Sequence, residues 1–152
     1  MLKISDKGVH FIANFEGFRA QPYRDSGGLL TIGFGQRCTE AQVKSWGGSI
    51  TREKGEELLQ AYLDRQHAEL DKLPLAWLLQ HQVDAVCSLS YNIGMGNFTT
   101  STVYLKIITR SPDLSSWLWW VKDELKHTQP GLVKRRRDEL VLFLYAIYGS
   151  LA

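Results

Sequence analysis

Long apolar runs are missing from this chain. The nearest approach, "LVLFLYAIYGSLA" at residues 140–152, is too short to span a bilayer. The opening stretch "MLKISDKGVHFIANFEGF" carries charge at Lys3, Asp6 and Lys7 and has no apolar core of the length a secretion signal needs. The expectation is a polypeptide made in the cytoplasm without a signal peptide, which needs another route to any work outside. Cysteine is scarce: Cys38 and Cys87 stand far apart in no metal-binding spacing. They read as reduced thiols, with a single disulfide as the alternative. The four histidines, His10, His67, His81 and His127, show neither HxxxH nor HExxH spacing, so no metal is expected. Repeats, low-complexity tracts and flexible linkers are also lacking.

An excess of one charge sign is nearly absent. Net charge is +2 and the isoelectric point about 8.5, a weak bias toward anionic surfaces such as cell walls, membranes or nucleic acid. A composition 44% hydrophobic and 22% charged excludes disorder. A length of 152 residues bounds the chain to one compact domain, or two small lobes sharing a core.

Ser5 reads as an N-cap, with Ile4 and Val9 as a hydrophobic staple around it. The helix that follows places Val9, Ile12, Ala13 and Glu16 on one face, so Glu16 ends an apolar stripe. Gly17 and Pro22 are expected to stop it. "SGG" at 26–28 predicts a hairpin turn and "LLTIGF" the strand leaving it, with Leu30, Ile32 and Phe34 on one face and Leu29, Thr31 and Gly33 on the other. From Thr51 a long helix is expected to run to Leu73, its face marked by Leu58, Leu59, Tyr62, Gln66, Leu70 and Leu73. Another helix is expected from about Leu75 through "VDAVCSLSYNIG", broken by "GMGNF". Ser111-Pro112 predicts a further helix carrying Leu114, Trp117, Leu118, Val121 and Leu125. A last helix follows "TQPG", opened by "KRRRDE" and closed by an apolar tail. One short β element among at least five helices makes the fold class α+β, predominantly helical.

The stretch "FEGFRAQPYRDSGGLLTIGFG" at 15–35 sets two carboxyl groups in different surroundings. Glycosidic cleavage needs such a pair: one protonated to serve the leaving oxygen, one ionised to attack or to activate water. Glu16, at an apolar helix end, suits the first role. Asp25, on a polar glycine turn, suits the second. Thr31 offers a hydroxyl to hold a water beside Asp25, and Gly33 and Gly35 leave room for a bulky substrate. A solvated Glu and a turn-forming Asp are the commoner explanation of such spacing taken alone.

The stretch nevertheless resembles the signature of the phage-type lysozymes, the endolysin family. That pattern is E-G-x-R, Y-x-D and G-x-x-T-I-G-x-G, present as Glu16, Gly17 and Arg19; Tyr23 and Asp25; Gly28, Thr31, Ile32, Gly33 and Gly35. "SLSYNIGMGNFTTSTVYLKI" and "PGLVKRRRDELVLF" resemble two further blocks of that family in the same order. The resemblance implies a muramidase acting on the β-1,4 bond between N-acetylmuramic acid and N-acetylglucosamine of bacterial peptidoglycan, with inversion. Glu16 is then the general acid, Asp25 the residue that activates water and Thr31 its helper. Inversion sets the two carboxyl groups roughly 6.5–9.5 Å apart. The implied fold is lysozyme-like in a single domain over 1–152. Its small hairpin lobe covers about 14–60, its helical lobe about 61–152 with the N-terminal helix packed against it, and one long helix joins them.

The resemblance also implies an arginine from the last block paired with the catalytic Glu. Motif match points to Arg135, while helical phase with Leu140, Phe143 and Ile147 favours Arg136. Asn92 and Gly33 are expected substrate-binding residues, with helix capping as the other role for Asn92. Gln36 stands where some relatives carry His. In "WLWW", Trp117 fits a core face and Trp119 falls off it. "KRRR" at 134–137, followed by Asp138 and Glu139, predicts a local ion-pair network rather than a nucleic-acid surface. The same helix, basic at its start and apolar at its end, suggests weak contact with anionic membranes. The implied partners are bacterial peptidoglycan and a holin for export, with no nucleic acid. The expected protein is a cofactor-free monomer, made in a bacterial host's cytoplasm and acting on the cell wall. A lytic transglycosylase, which needs no Asp25–Thr31 water, and a wall-binding relic, which has no need to keep Glu16, Asp25 and Thr31 together, are the rivals.

Overall fold

The computed structural model describes residues 1–123 and 125–149. Its first helix, α1 (Asp6–Phe15), is capped by Ser5, whose hydroxyl accepts from the Gly8 amide at 3.1 Å. Val9, Phe11, Ile12 and Ala13 are buried along it. The helix ends before Gly17: Glu16 is already extended (φ −90°, ψ 130°) while its N–H still bonds the Ile12 carbonyl. The chain then enters a three-stranded antiparallel sheet, β1 (Arg19–Arg24), β2 (Leu30–Gly33) and β3 (Gln36–Arg37), in that spatial order. Pro22 lies within β1, a position an edge strand tolerates, where the register with β2 shifts between Arg19 and Tyr23. The hairpin turn falls where "SGG" places it. β2 is shorter than "LLTIGF" because Gly33 turns the chain with φ 66°.

A short helix, α2 (Glu40–Ser45), follows, with Thr39 and Gln42 closing a reciprocal capping box. Thr51 caps α3 (Arg52–Leu70), which stops three residues short of the expected Leu73. Its buried face is Leu59, Leu63, Gln66, His67 and Leu70; Tyr62 stands outside it, 44% exposed. α3 packs against β2 and β3 at one end and α1 along its length.

The next helix, α4 (Gln80–Ile93), starts five residues later than Leu75 and forms the centre of the helical part, touching α1, the short α5 (Met95–Thr99) and the last helix, α7 (Pro130–Tyr145). Ala85, Cys87, Ser88 and Leu89 on it are fully buried. Gly94, at φ 87°, separates α4 from α5, and Ser101 caps α6 (Thr102–Ile108).

The helix expected from Ser111-Pro112 is not formed. In its place is a 3₁₀ turn, Ser115–Trp119, and a loop bridged by Lys122 and Thr128. The Asp113 carboxylate takes both the Ser115 amide and hydroxyl, a local bonding pattern that competes with helix. Trp117 is fully buried and Trp119 65% exposed, as their positions suggested, but Leu118 and Leu125 are exposed as well. The last helix, α7 (Pro130–Tyr145), begins at its proline, ahead of "KRRR", and ends at Ala146 in a left-handed conformation. The end of the expected apolar tail, residues 150–152, lies outside the described residues. No described helix is long and apolar enough to cross a membrane.

Candidate active site

Glu16 leaves α1 with its side chain one quarter exposed, and its Oε1 accepts a 2.6 Å hydrogen bond from Arg135 Nη1. Its surroundings therefore include a partner cation as well as the apolar helix end. Arg135 is itself buried. Its Nε donates to Glu139 Oε1 at 3.1 Å, and its Nη2 reaches the Ser88 carbonyl and hydroxyl, each at 3.3 Å. Of the two arginines left open by the sequence, motif match names the partner of Glu16 and helical phase names the more deeply buried one.

Arg136 is fully buried. It meets the same Glu139, with Nη2 donating to Oε1 at 2.9 Å. Its Nε lies 2.9 Å from Oε2, near enough for an ion pair but not aligned as a hydrogen bond, and Nη1 has no partner among the described residues. Burial pulls the Arg136 pKa below the usual guanidinium value, against the pull of Glu139. Glu139, also fully buried, accepts further from Ser88 Oγ at 2.6 Å and Trp117 Nε1 at 3.0 Å. Lys134 pairs with Asp138, so the basic run is largely an internal ion-pair network, as its composition predicts. A chain of alternating charge thus runs from the interior to Glu16.

Asp25 sits half-buried in the hairpin turn, its Oδ1 accepting from the Gly27 and Leu29 amides, each at 2.9 Å. Among the described residues its Oδ2 accepts no hydrogen bond. Thr31 is buried on β2, and its hydroxyl donates to the Leu29 carbonyl at 2.8 Å, leaving the oxygen free to accept. Thr31 stands opposite Arg37 across the β2–β3 pair.

A cleft of about 640 Å³ opens beside Glu16, lined also by Gly35, Gln36, Arg37, Tyr62, Arg65, Tyr91 and Asn92. It brings Glu16 and Asn92 together. Asp25 and Thr31 are not among its lining residues; Thr31 stands on β2, the strand beside β3, and Asp25 in the turn that leads into it. Gly33 is buried, and a Cβ there would come within 3.2 Å of Ile50 Cδ1 and 3.4 Å of Gly55 Cα. It brings β2 close to α3, and Gly35 is the glycine that opens onto the cleft.

Gln36 lies across the floor of the cleft. Its Oε1 accepts from the Phe34 amide at 3.1 Å and its Nε2 donates to Tyr91 Oη at 3.1 Å. Tyr91 in turn donates to the Phe34 carbonyl at 3.2 Å and meets Tyr62 edge-on, ring centroids 5.4 Å apart. Burial, then the charges of Glu16 and Tyr62, push the Tyr91 pKa up, so it remains a neutral donor. Sequence reasoning missed Arg37, Tyr62, Arg65 and Tyr91 as cleft residues and Glu139 as the anchor of Arg135. The spacing of four between Arg135 and Glu139 on a helix was the available signal for the last.

The fold and this arrangement define a small, mostly helical scaffold with a paired carboxyl group beside a polar cleft. The family model described as Phage lysozyme matches residues 13–139, and the chain belongs to that family. It is 36% identical over 147 residues to the endolysin of Acyrthosiphon pisum secondary endosymbiont phage 1, covering 93% of this chain and 98% of that one. Among solved structures, a mutant of the phage P22 lysozyme superposes with a TM-score of 0.83 at 35% identity, covering 95% of this chain and 99% of that one. The muramidase domain of SpmX from Asticaccaulis excentricus superposes with a TM-score of 0.82 at 28% identity and the same coverage.

Proposed function

We propose that this lysozyme-type glycosidase is a muramidase that cleaves the β-1,4 bond between N-acetylmuramic acid and N-acetylglucosamine, with inversion, in host-cell lysis by a phage or prophage. The observation that carries the reading is the Glu16–Arg135 pair at the cleft, with Thr31 on the strand beside β3 and Asp25 in the turn before it. The name of the SpmX domain supports the same substrate. Glu16 delivers its proton to the leaving oxygen. Arg135 fixes the direction of that carboxyl and stays as counter-ion to the carboxylate left behind. Asp25 Oδ2 and the Thr31 oxygen are both acceptors, so one water can donate a proton to each. That arrangement aims the water's lone pair outward at the anomeric carbon, and Asp25 takes the proton as the bond forms. The hairpin, β3 and α2 form the small lobe of about 14–60, and the later helices the helical lobe from about 61, with the cleft between them.

The reading extends to delivery. The chain passes the membrane through a holin and works as a monomer on the wall. Contact with anionic membranes would have to use Arg137 and the exposed Leu144, Tyr145 and Ile147, since Lys134, Arg135 and Arg136 are engaged in ion pairs. Cosedimentation of the full chain with anionic vesicles tests it; no binding ends that part of the reading.

The deciding experiment is mass spectrometry of purified peptidoglycan digested by the wild type and by Glu16→Gln. Fragments with reducing N-acetylmuramic ends, reduced about 10²–10⁴-fold in rate by the substitution, are expected. Anhydro ends would make the protein a lytic transglycosylase and remove Asp25 and Thr31 from the mechanism. Binding without fragments would make it a wall-binding relic.

A further inference from the structure

We propose that residues 2–4 form a strap that is fastened at neutral pH and released in mild acid by protonation of His67. The strap makes no backbone–backbone hydrogen bond among the described residues. Side chains hold it instead. The Leu2 amide donates to Asp71 Oδ1 at 2.6 Å, and the Lys3 carbonyl accepts from Gln80 Nε2 at 2.8 Å. The Ile4 amide donates to His67 Nε2 at 3.1 Å. A cavity of about 210 Å³ lies between Met1, Leu2 and Lys3 on one side and Asp71, Leu73 and Val83 on the other. The strap is therefore laid on the helices without filling the space beneath its outer end. Its anchor in the core is Ile4, 3% exposed.

Nε2 of the buried His67 ring accepts from Ile4 only while it carries no proton. Its other near neighbour is Cys87 Sγ at 3.3 Å, while Nδ1 lies 3.9 Å from Asp64 Oδ1. With a proton on both nitrogens the ring is a donor at each end, so Nε2 confronts the Ile4 N–H and that bond is lost. Burial gives the orphaned amide no water in exchange, which favours lifting the strap. The groups around the ring are Asp64 and Asp71 from α3 and its end, Asp84 and Cys87 from α4, and Lys3 from the strap. Burial, helped by Lys3, outweighs the three carboxylates and holds the His67 pKa below 6.5. The closed strap thus excludes the proton and the opened, solvated ring accepts it. Opening is favoured by about tenfold per pH unit between 6.5 and the lowered value. Ser5 is held separately, its amide and hydroxyl on Asp84 at 2.9 and 2.5 Å. Release therefore stops at Ser5, and α1 keeps its cap.

Amide hydrogen exchange followed by NMR on the full chain at pH 7.5 and 5.5 tests this, with rates corrected for intrinsic exchange. The protection factor of Ile4 should fall about tenfold in the wild type and stay unchanged in H67Q, whose amide does not titrate. It should also be smaller than that of Leu89 in the α4 core and insensitive to low urea, because the opening is local. Ile4 protection that holds between the two pH values, or falls equally in H67Q, overturns the proposal. So does an Ile4 amide that shares the protection and urea dependence of Leu89, since the strap would then leave only with global unfolding. Should H67Q fail to fold, the wild type decides alone. The His67 ring nitrogens and the Ile4 amide should then shift together with one midpoint below pH 6.5; separate midpoints overturn the proposal.

Discussion

Replacing Glu139 by Gln should be among the most damaging single changes in the molecule, although Glu139 never reaches the cleft. Its carboxylate is fully buried and is the counter-ion of Arg136, which is also fully buried, and of Arg135. The amide removes the charge and turns one oxygen into a donor, which then faces guanidinium, hydroxyl or indole donors. Breaking a buried pair by removing one partner costs about 3–5 kcal/mol, because the remaining ion stays desolvated without compensation. Against a total stability of about 5–15 kcal/mol, that is a large fraction, and it corresponds to a fall in Tm of roughly 10 °C for a chain of this size. Urea denaturation followed by tryptophan fluorescence measures the cost directly, since Trp117 donates to this carboxylate. A loss below about 1 kcal/mol would refute the reasoning. The paired control is E139M with R136M, where both charges are exchanged for apolar side chains of similar size. That variant should recover most of the lost stability while activity stays low, because Arg135 loses the anchor that holds it against Glu16.

Other outcomes follow from single contacts. Gly8→Ala should cost about 1–3 kcal/mol in urea denaturation, because the new methyl would sit 2.6 Å from Ile4 Cγ1 and from Asp84 Cγ. Tyr91→Phe should cost about 1–2 kcal/mol by the same method, since it strips a partner from Gln36 Nε2 and from the Phe34 carbonyl. Stability should also fall in mild acid. His67 is buried with Nε2 accepting from the Ile4 amide at 3.1 Å and beside Cys87 Sγ at 3.3 Å; burial lowers its pKa from the usual 6.5, against the charges of Asp64, Asp71 and Asp84. The unfolded chain therefore binds this proton more readily than the fold does. The contribution is fully present above pH 6.5 and is lost as the pH falls through the lowered value. Chemical denaturation from pH 7.5 to 5 should show this slope, and His67→Gln should flatten it.

Local signals carried much of the fold. Ser5 and Thr51 cap where their hydroxyls precede apolar periodicity, and the glycine turn after Asp25 is visible in the residue types themselves. The Thr39–Gln42 capping box was equally visible in spacing, yet α2 buries no side chain and so shows no apolar stripe. The stretch from Ser111 misled because its period is helical while Asp113 ties its neighbours into a turn that excludes a regular helix. In the candidate site, Glu16, Asp25 and Thr31 stand out within one continuous stretch of sequence. The partners of Glu16 could not be read so directly. α7 buries Arg135 and Arg136 on adjoining flanks, so phase alone does not choose between them. Arg37, Arg65 and Tyr91 converge only through packing of β3, α3 and α4, which no local pattern records.

The pair at the mouth of the cleft joins residues 119 positions apart. A ribosome therefore delivers Glu16 long before its partner cation, and the intervening chain must be made first. Until α7 docks on α4, Glu16 stands at the end of α1 without this partner. The Glu16–Arg135 contact is thus among the last features that synthesis can complete, and a chain interrupted before Arg135 cannot form it.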